Sequence, residues 1–197
     1  AVIDGDPDAS AEAAQSALDA NLDPLEILNE GLMSGANEVG KRFENGEYFL
    51  PELMLAGRAL KSAMEIVKPA LLKKFEGTEN KVKGKIVAAT IQTDIHDIGK
   101  NIVSSMLTAA GYEVTDMGVD VQIKSIIDKA EEIGAQAICL SALLTTSMPF
   151  MKDLIETLKA RGLREKYIVL VGGASVTESW APHIGADGTA RNAADAV

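Results

Sequence analysis

Apolar side chains in the first 75 residues recur at steps of three and four. One such stripe begins after Pro24 and comprises Leu25, Leu28, Leu32, Ala36, Val39 and Phe43. Another begins after Pro51 and comprises Leu53, Gly57, Leu60, Met64, Val67 and Leu71. This spacing places each set on one face of a helix, and an Ala-rich stretch predicts a shorter helix near residues 8–20. Because striped helices joined by short turns form antiparallel bundles, we predict a helical bundle over residues 1–74.

A polar stretch separates this region from the rest of the chain. Residues 75–84 (FEGTENKVKG) include two glycines and show neither helical nor strand periodicity. Such a composition is typical of loops, and we therefore predict an interdomain linker over residues 75–84.

From Lys85 onward, short apolar runs alternate with helical patterns. Strands are predicted at 85–91, 112–116, 136–141, 167–171 and, more weakly marked, 186–190. Helices are predicted at 98–110, 122–133, 148–161 and 176–183. This alternation is typical of a parallel sheet with right-handed crossovers. We predict an α/β fold in which residues 85–197 form a Rossmann-like, doubly wound sheet of five strands in the flavodoxin-like order 2-1-3-4-5.

Composition narrows the classes of function. The chain is 47% hydrophobic and 24% charged, an ordinary globular balance. It contains no apolar run near the roughly 20 residues of a membrane helix and no signal-peptide pattern. A net charge of −10 and an aromatic content of 4% argue against a nucleic-acid partner, because such binding rests on Lys, Arg and stacking side chains.

A single cysteine, Cys139, falls within the third predicted strand. One cysteine forms neither a disulfide framework nor a thiolate zinc site, and a buried cysteine behaves as a small apolar residue. These features predict a cytoplasmic protein without a membrane partner.

Candidate chemistry lies in the loop from Gln92 to Asn101, which follows the first strand and leads into a helix. His96 has acidic neighbours on both sides, Asp94 and Asp97. A carboxylate beside a histidine can hold one ring nitrogen and leave the other as a base or metal ligand. Gly99 leaves room for another group to approach closely. The alternative is a helix N-terminus capped by one of the two acids, with His96 merely exposed.

The predicted strand order brings further loops to the same place. In the order 2-1-3-4-5 the crevice lies between the first and third strands. The loop after the third strand, residues 141–147, carries four hydroxyl side chains, and Gly172-Gly173 follows the fourth strand. The loop after the second strand (Met117-Gly118-Val119) lies at the far edge and is expected to be ordinary. The convergence of the other three loops predicts a binding site.

Several familiar sites are disfavoured. No G-x-G-x-x-G follows the first strand, so a dinucleotide site is not indicated. No serine sits in a G-x-S-x-G turn, which argues against a hydrolase. A phospho-acceptor domain would not need His96 or the paired glycines. His183 has no acidic neighbour in sequence and is expected to lie on the surface.

Three segments together carry a resemblance to a known family. Asp94-x-His96-x-x-Gly99, Ser141-x-Leu143 and Gly172-Gly173 resemble the corrinoid-binding signature D-x-H-x-x-G…S-x-L…G-G, with intervals of 41 and 28 residues. The helical half, with Gly46 to Leu53, resembles the bundle before the cobalamin module of methionine synthase. It is also similar to the small corrinoid proteins of anaerobic methyltransferase systems, and the size of the chain favours the latter.

The resemblance implies roles for individual residues. His96 would be the lower axial ligand of cobalt, with the base of cobalamin displaced (base-off), and Asp94 and Ser147 would form a relay behind it. The other implied cofactor-binding residues are Asp97, Gly99, Ser141, Leu143, Thr145, Gly172 and Gly173. Phe49 and Met54 would belong to a corrinoid cap formed by the helical bundle, whereas Leu53 is expected in the bundle core.

The implied function is methyl transfer by a carrier that is not a complete enzyme alone. The protein would carry a methyl group on cobalt from a substrate-specific methyltransferase to a second methyltransferase, which would pass it to coenzyme M or tetrahydrofolate. A reductive activase would be a further partner. The methyl donor would be a methylamine, a quaternary amine, methanol or a methoxylated compound. The alternatives are a cobalamin-binding fragment of methionine synthase or of a mutase, and a cobalamin-based regulator.

Overall fold

The computed structural model describes residues 1–75, 82–190, 193, 195 and 196. The chain divides into two compact units, Ala1–Phe75 and Glu76–Val197. Residues 76–81 of the predicted linker lie outside the described residues. Within the described ranges, no helix has the length and apolar character needed to cross a membrane.

The first unit is helical. Its elements are α1 (Pro7–Asp19), α2 (Pro24–Glu26), a π-helical segment (Ile27–Met33), α3 (Ser34–Glu44) and α4 (Leu50–Phe75). Asp6 and Asp23 cap the first two helices by accepting backbone N–H bonds, and a proline follows each of them, as expected for a helix start. α1 packs mainly against α4.

The helix after Pro24 differs from the prediction of one regular stripe. Leu28, Leu32 and Val39 are buried, but Phe43 is 43% exposed. A π-helical segment with i→i+5 hydrogen bonds, Ile27–Met33, also interrupts the regular helix that the stripe predicted.

The second unit is the predicted α/β fold. Its elements are β1 (Lys85–Thr90), α5 (Ile98–Ala109), β2 (Glu113–Asp116), α6 (Ile123–Ile133), β3 (Ala137–Ser141), α7 (Met148–Ala160), β4 (Ile168–Gly172), α8 (Trp180–Ile184) and β5 (Gly188–Thr189). The strands are parallel, in the order β2-β1-β3-β4-β5. The predicted strand order is confirmed. α8 begins at Trp180 and not near residue 176, because a turn precedes it in which Thr177 accepts a hydrogen bond from the Trp180 amide.

Strand alternation gives the sheet two apolar faces. Side chains of Val87, Ala89 and Ile91 join the larger core with α6 and α7, while Ile86 packs with Leu107 of α5 on the other face. The register pairs Thr90 with Ser141 and Ser141 with Gly172. The carboxyl ends of β1, β3 and β4 therefore lie side by side, which brings the three predicted loops to one edge.

Candidate functional site

The buried carboxylate of Asp94 is the centre of this edge. Its side chain is fully buried, and Oδ1 accepts hydrogen bonds from His96 Nδ1 at 2.7 Å and from the His96 amide at 3.0 Å. The sequence separation of two residues lets one oxygen hold both the backbone and the ring of the same histidine. The imidazole is thus oriented by a group that solvent does not reach.

The second oxygen of Asp94 reaches a different strand. Asp94 Oδ2 accepts the amides of Leu143 and Leu144, at 2.7 and 2.9 Å, from the loop after β3. One carboxylate therefore joins the loops after β1 and β3 across the switch point. The interpretation of Asp94 or Asp97 as a side-chain helix cap is wrong: Asp97 occupies the cap position of α5 without a capping bond.

These contacts decide the protonation of Asp94. Burial alone would raise the pKa of the carboxyl group, but hydrogen bonds from the Leu144, His96 and Leu143 amides and the His96 ring outweigh it. The pKa of Asp94 is therefore held below its ordinary value, because these donors favour the ionised form. An ionised carboxylate behind Nδ1 keeps the proton on that nitrogen and directs the lone pair of a neutral ring to Nε2.

His96 presents its ring to solvent. Its side chain is 47% exposed, and the engagement of Nδ1 leaves Nε2 as the nitrogen for another partner. On the backbone side, the His96 carbonyl accepts a hydrogen bond from the Thr90 hydroxyl at 3.0 Å. Asp97 is exposed, and its Oδ2 accepts a hydrogen bond from Asn101 Nδ2.

Ser147 is buried but bonds a neighbour of Asp94. Its hydroxyl lies 2.9 Å from the hydroxyl of Thr93, and Thr93 has a left-handed backbone with φ of 70°. A β-branched residue rarely adopts this conformation, so other contacts must hold it. The relay from Asp94 to Ser147 stays a prediction, with Thr93 as the contact that the structure does contain.

The loop after β2 is not ordinary, contrary to expectation. Asp120 accepts the Thr93 amide on Oδ1 at 2.7 Å, and its own amide donates to the Asp94 carbonyl. The residue pair Ile91 and Val121 extends the sheet by one isolated bridge. Asp120 and Thr93 were missed from the sequence. The available signal was an acidic residue soon after a strand that was predicted to neighbour β1.

The paired glycines have different surroundings. A Cβ on Gly173 would lie 1.9 Å from the Ala142 carbonyl oxygen, and φ is 120° there, so this glycine permits a close approach of two loops. A Cβ on Gly172 would meet no atom of the described part of the chain within 4 Å. Open space therefore lies beside Gly172, whereas a glycine at position 173 is required by packing.

The remaining predicted residues divide between the two units. Ser141 ends β3, Gly99 lies in the first turn of α5 with open space at its Cα, and Thr145 is exposed in the loop after β3. Phe49 and Met54 belong to the helical unit, where their side chains are 64% and 55% exposed. His183 is exposed in α8, as expected.

The donor groups at this edge do not form a metal site by themselves. Among the residues described, no three His, Cys, Asp or Glu side chains cluster as metal ligands. Burial raises the pKa of the Cys139 thiol to about 12, which favours its neutral form. A single histidine suffices only for a metal that brings most of its ligands with it, as cobalt in a corrin ring does.

Other side chains at this edge suit such a group. Exposed apolar side chains flank the histidine in sequence or occupy the neighbouring loops, namely Ile95, Val119, Leu143 and Leu144. Thr189 Oγ1, at the end of β5, is buried and has no hydrogen-bond partner within the part of the chain that the structure describes. Together with the open space at Gly172, these features fit a large, flat, mainly apolar cofactor with a polar tail.

Comparison with known proteins points to the same cofactor. A family model described as "B12 binding domain" matches residues 84–197, and a second model with that description matches residues 1–68. Dimethylamine corrinoid protein 1 of Methanosarcina acetivorans is 48% identical over 197 residues, which cover 100% of this chain and 91% of that protein.

Two solved structures match nearly the full length of this chain. The structure of the Methanosarcina barkeri monomethylamine corrinoid protein matches with a TM-score of 0.89 and 36% identity, covering 99% of this chain and 91% of that one. A chain of the methanol:cobalamin methyltransferase complex from Methanosarcina barkeri matches with a TM-score of 0.56 and 30% identity, covering 99% and 73%. The chain belongs to the family of B12-binding corrinoid proteins of methyltransferase systems.

Proposed function

We propose that this protein carries a methyl group, on the cobalt of a bound cobalamin, from a substrate-specific methyltransferase to a second methyltransferase. The second enzyme would pass the group to coenzyme M or tetrahydrofolate. The observation that carries the proposal is the fully buried Asp94 carboxylate, which orients His96 and leaves Nε2 available at the sheet edge. The similarity to a chain of a methanol:cobalamin methyltransferase complex supports a methyltransferase as a partner.

His96 Nε2 is the proposed lower axial ligand, in the base-off arrangement. Asp94 accepts the Nδ1 proton, which increases the donor strength of the opposite nitrogen. When bound, cobalamin supplies a cobalt centre that can accept and release a methyl group, while the chain supplies ligation, orientation and access.

The nucleotide tail of the cofactor is proposed to pass along the ends of β3 and β4. Gly172 leaves a wall without a side chain, and Ser141, Leu143 and Thr145 lie in the adjacent strand end and loop. The buried hydroxyl of Thr189, which pairs in register with Val171, would offer a polar contact from the neighbouring strand β5. The crowded backbone at Gly173 would support this wall and not contact the tail directly.

The helical unit is proposed to cover the reactive face of the cofactor. Phe49 and Met54 are apolar and more than half exposed, which is costly in water unless a ligand or partner covers them.

We also propose a reductive activase as a partner, no nucleic-acid partner and a cytoplasmic location. The donor that we favour is a methylated amine, because the relatives named for dimethylamine and monomethylamine match this chain at 48% and 36% identity, against 30% for the methanol system.

Isotope labelling tests the histidine ligand directly. Protein made with nitrogen-15 histidine is loaded with hydroxocobalamin, desalted, reduced to Co(II) and measured by electron paramagnetic resonance. We expect the label to change the nitrogen splitting of the cobalt signal. We expect His96→Ala to abolish that change and His183→Ala, the other histidine of the chain, to preserve it. A labelled protein with the splitting of unlabelled protein would overturn the ligand assignment, and a protein that retains no cobalamin would overturn the proposed function.

A further inference from the structure

A second buried charge lies near the His96 loop and has no role in the site described above. The side chain of Lys100, in the first turn of α5, is only 4% exposed. Its ammonium group donates to Asn101 Oδ1 at 2.7 Å and to both carboxylate oxygens of Asp116, at 2.6 Å to Oδ1. These bonds use the three donors of a lysine. A buried lysine is rare unless it is paired in this way.

The Lys100–Asp116 pair reaches the backbone of His96 through the end of β1. Asp116 Oδ1 also accepts the Gly118 amide at 2.8 Å. The Gly118 carbonyl accepts the Thr90 amide at 3.0 Å, and the Thr90 hydroxyl donates to the His96 carbonyl at 3.0 Å. An unbroken series of short contacts therefore links the buried pair to one end of the His96 peptide unit.

A second series reaches the residue after the histidine. Lys100 holds Asn101 Oδ1, and Asn101 Nδ2 donates to Asp97 Oδ2 at 3.0 Å. Because Lys100 holds the oxygen of the Asn101 amide group, its nitrogen is directed towards Asp97. The two series restrain the His96 carbonyl and the Asp97 side chain, whereas Asp94 restrains the His96 amide and ring.

We propose that Lys100 and Asp116 are positioning residues that set the orientation of His96 from the carbonyl side. Asp94 controls the ring through Nδ1, but the direction of the side chain from the backbone also depends on the peptide units on either side. The loop after β1 is thus held from β3 by Asp94 and from β2 by the Lys100–Asp116 pair. The consequence for ligation of cobalt rests on the proposed function, whereas the restraint of the loop does not.

Lys100→Met tests the proposal, because methionine keeps the length and apolar character of the lysine stem and removes the ammonium group. The matched control is Lys124→Met, which removes an exposed ion pair between Lys124 and Asp128 within α6. Each variant is loaded with hydroxocobalamin and reduced, and the ratio of histidine-ligated to unligated Co(II) is measured by electron paramagnetic resonance at one neutral pH. We expect Lys100→Met to lower the ratio about tenfold, the low end for loss of an outer contact to a metal ligand, and Lys124→Met to leave it unchanged.

Two further measurements keep the outcome decisive. If Lys100→Met does not fold, the ratio is measured in Lys100→Met/Asp116→Asn, which leaves no unpaired buried charge and is expected to show the same loss. In cobalamin-free protein, amide hydrogen exchange at Gly118 and Thr90 should be faster in Lys100→Met than in Lys124→Met. Wild-type ratios and exchange rates in a folded Lys100 variant would overturn the proposal. A wild-type protein without histidine ligation would instead overturn the proposed axial ligand, while the exchange rates would still test the restraint.

Discussion

The loop after β1 and the carboxyl ends of β4 and β5 lie at the same edge of the sheet but are built in opposite ways. The loop after β1 is dense with hydrogen bonds: Asp94 alone accepts four, from two loops. Among the described residues, a Cβ on Gly172 at the end of β4 would meet no atom within 4 Å, and the Thr189 hydroxyl on β5 has no hydrogen-bond partner. One side holds a single ring nitrogen in place, and the other leaves space.

This difference matches two separate requirements of a cofactor site. A metal ligand must be held in a narrow range of orientations, and hydrogen bonds from neighbouring groups to the ligating side chain supply that restraint. A buried tail needs volume and a few polar contacts instead. Substitutions in the loop after β1 should therefore change both the stability of the protein and the ligation of cobalt by His96. Substitutions at the end of β4 should lower the affinity for cobalamin and leave the stability of the cobalamin-free protein nearly unchanged. Gly173 is the exception, since it lies on the open side but is packed against backbone.

The largest expected effect is that of Gly173→Ala on folding. The new Cβ would lie 1.9 Å from the Ala142 carbonyl oxygen at a φ of 120°, so the backbone must move. The new Cβ would both strain the backbone and overpack the site. We therefore expect the free energy of unfolding of the cobalamin-free protein to fall by about 3 kcal/mol or more. Urea unfolding followed by the fluorescence of Trp180, the single tryptophan, measures it.

Gly185→Ala is the control for that measurement. Gly185 also has a positive φ, of 83°, but a Cβ there would meet its nearest atom only at 3.5 Å. Its substitution should cost about 1 kcal/mol, the effect of the left-handed conformation alone. Equal losses for the two alanine variants would show that the close approach at Ala142 is not what requires Gly173.

Asp94→Asn is expected to have the next largest effect. The substituted side chain has one acceptor oxygen and places an N–H₂ group where Asp94 now accepts bonds from two loops. We expect a loss of about 2–3 kcal/mol in unfolding free energy at neutral pH, typical for hydrogen bonds to a buried charged group. Asp128→Asn, an exposed carboxylate with lysine and arginine neighbours, should change stability much less.

The loss of unfolding free energy in Asp94→Asn should depend on pH in a defined direction. The pKa of Asp94 is lowered in the folded protein, so the carboxylate stabilises the fold above its unfolded pKa, about 3.9. That contribution falls as the pH drops below this value and through the folded pKa. The stability difference between wild type and Asp94→Asn should therefore be constant near neutrality and shrink below about pH 4. A difference that grows as the pH falls would contradict the direction of the shift.

Gly172→Leu should separate binding from folding. The backbone at Gly172 is not in the left-handed region, and a Cβ there would meet no neighbour within the described ranges of the chain. We therefore expect the unfolding free energy of the cobalamin-free protein to change by less than about 1 kcal/mol, as for surface positions. The affinity for hydroxocobalamin, measured by absorption titration, should fall at least about tenfold, or 1.4 kcal/mol. Undiminished affinity would show that the nucleotide tail of cobalamin does not pass beside Gly172.

The same contrast shows what the sequence could predict. The alternation of strands and helices predicted the strand order, and the order alone placed His96, Ser141 and Gly172 at one edge. The contacts between loops were not predictable, because the Asp94 carboxylate accepts the backbone amides of Leu143 and Leu144, and the side chains of these two residues give no signal of that contact. The role of Gly173 depends on a distance to Ala142 that no local pattern encodes.

Long-range pairing explains the other omissions. Lys100 is 16 residues from Asp116, and the sequence shows a charged residue in a helix without showing that β2 ends beside it. Asp120 was missed because its loop was assigned to the far edge, although β2 is the direct neighbour of β1. The π-helical segment Ile27–Met33 changes hydrogen bonding within a stripe whose apolar spacing is that of an ordinary helix.

The smallest effect, and the one that best defines the open side, is expected for Thr189→Val. A buried hydroxyl without a partner costs about 1–3 kcal/mol, so its removal at nearly constant volume should stabilise cobalamin-free protein by about 1 kcal/mol. If the cofactor tail provides the missing partner, the same change should weaken cobalamin binding severalfold. Thr115→Val on β2, whose hydroxyl is not among the buried unpartnered atoms, is the control and should leave affinity unchanged. A less stable Thr189→Val protein would mean that the hydroxyl already has a hydrogen-bond partner. A more stable variant with unchanged cobalamin affinity would show that the unpaired hydroxyl affects folding alone, and it would exclude Thr189 from the cofactor site.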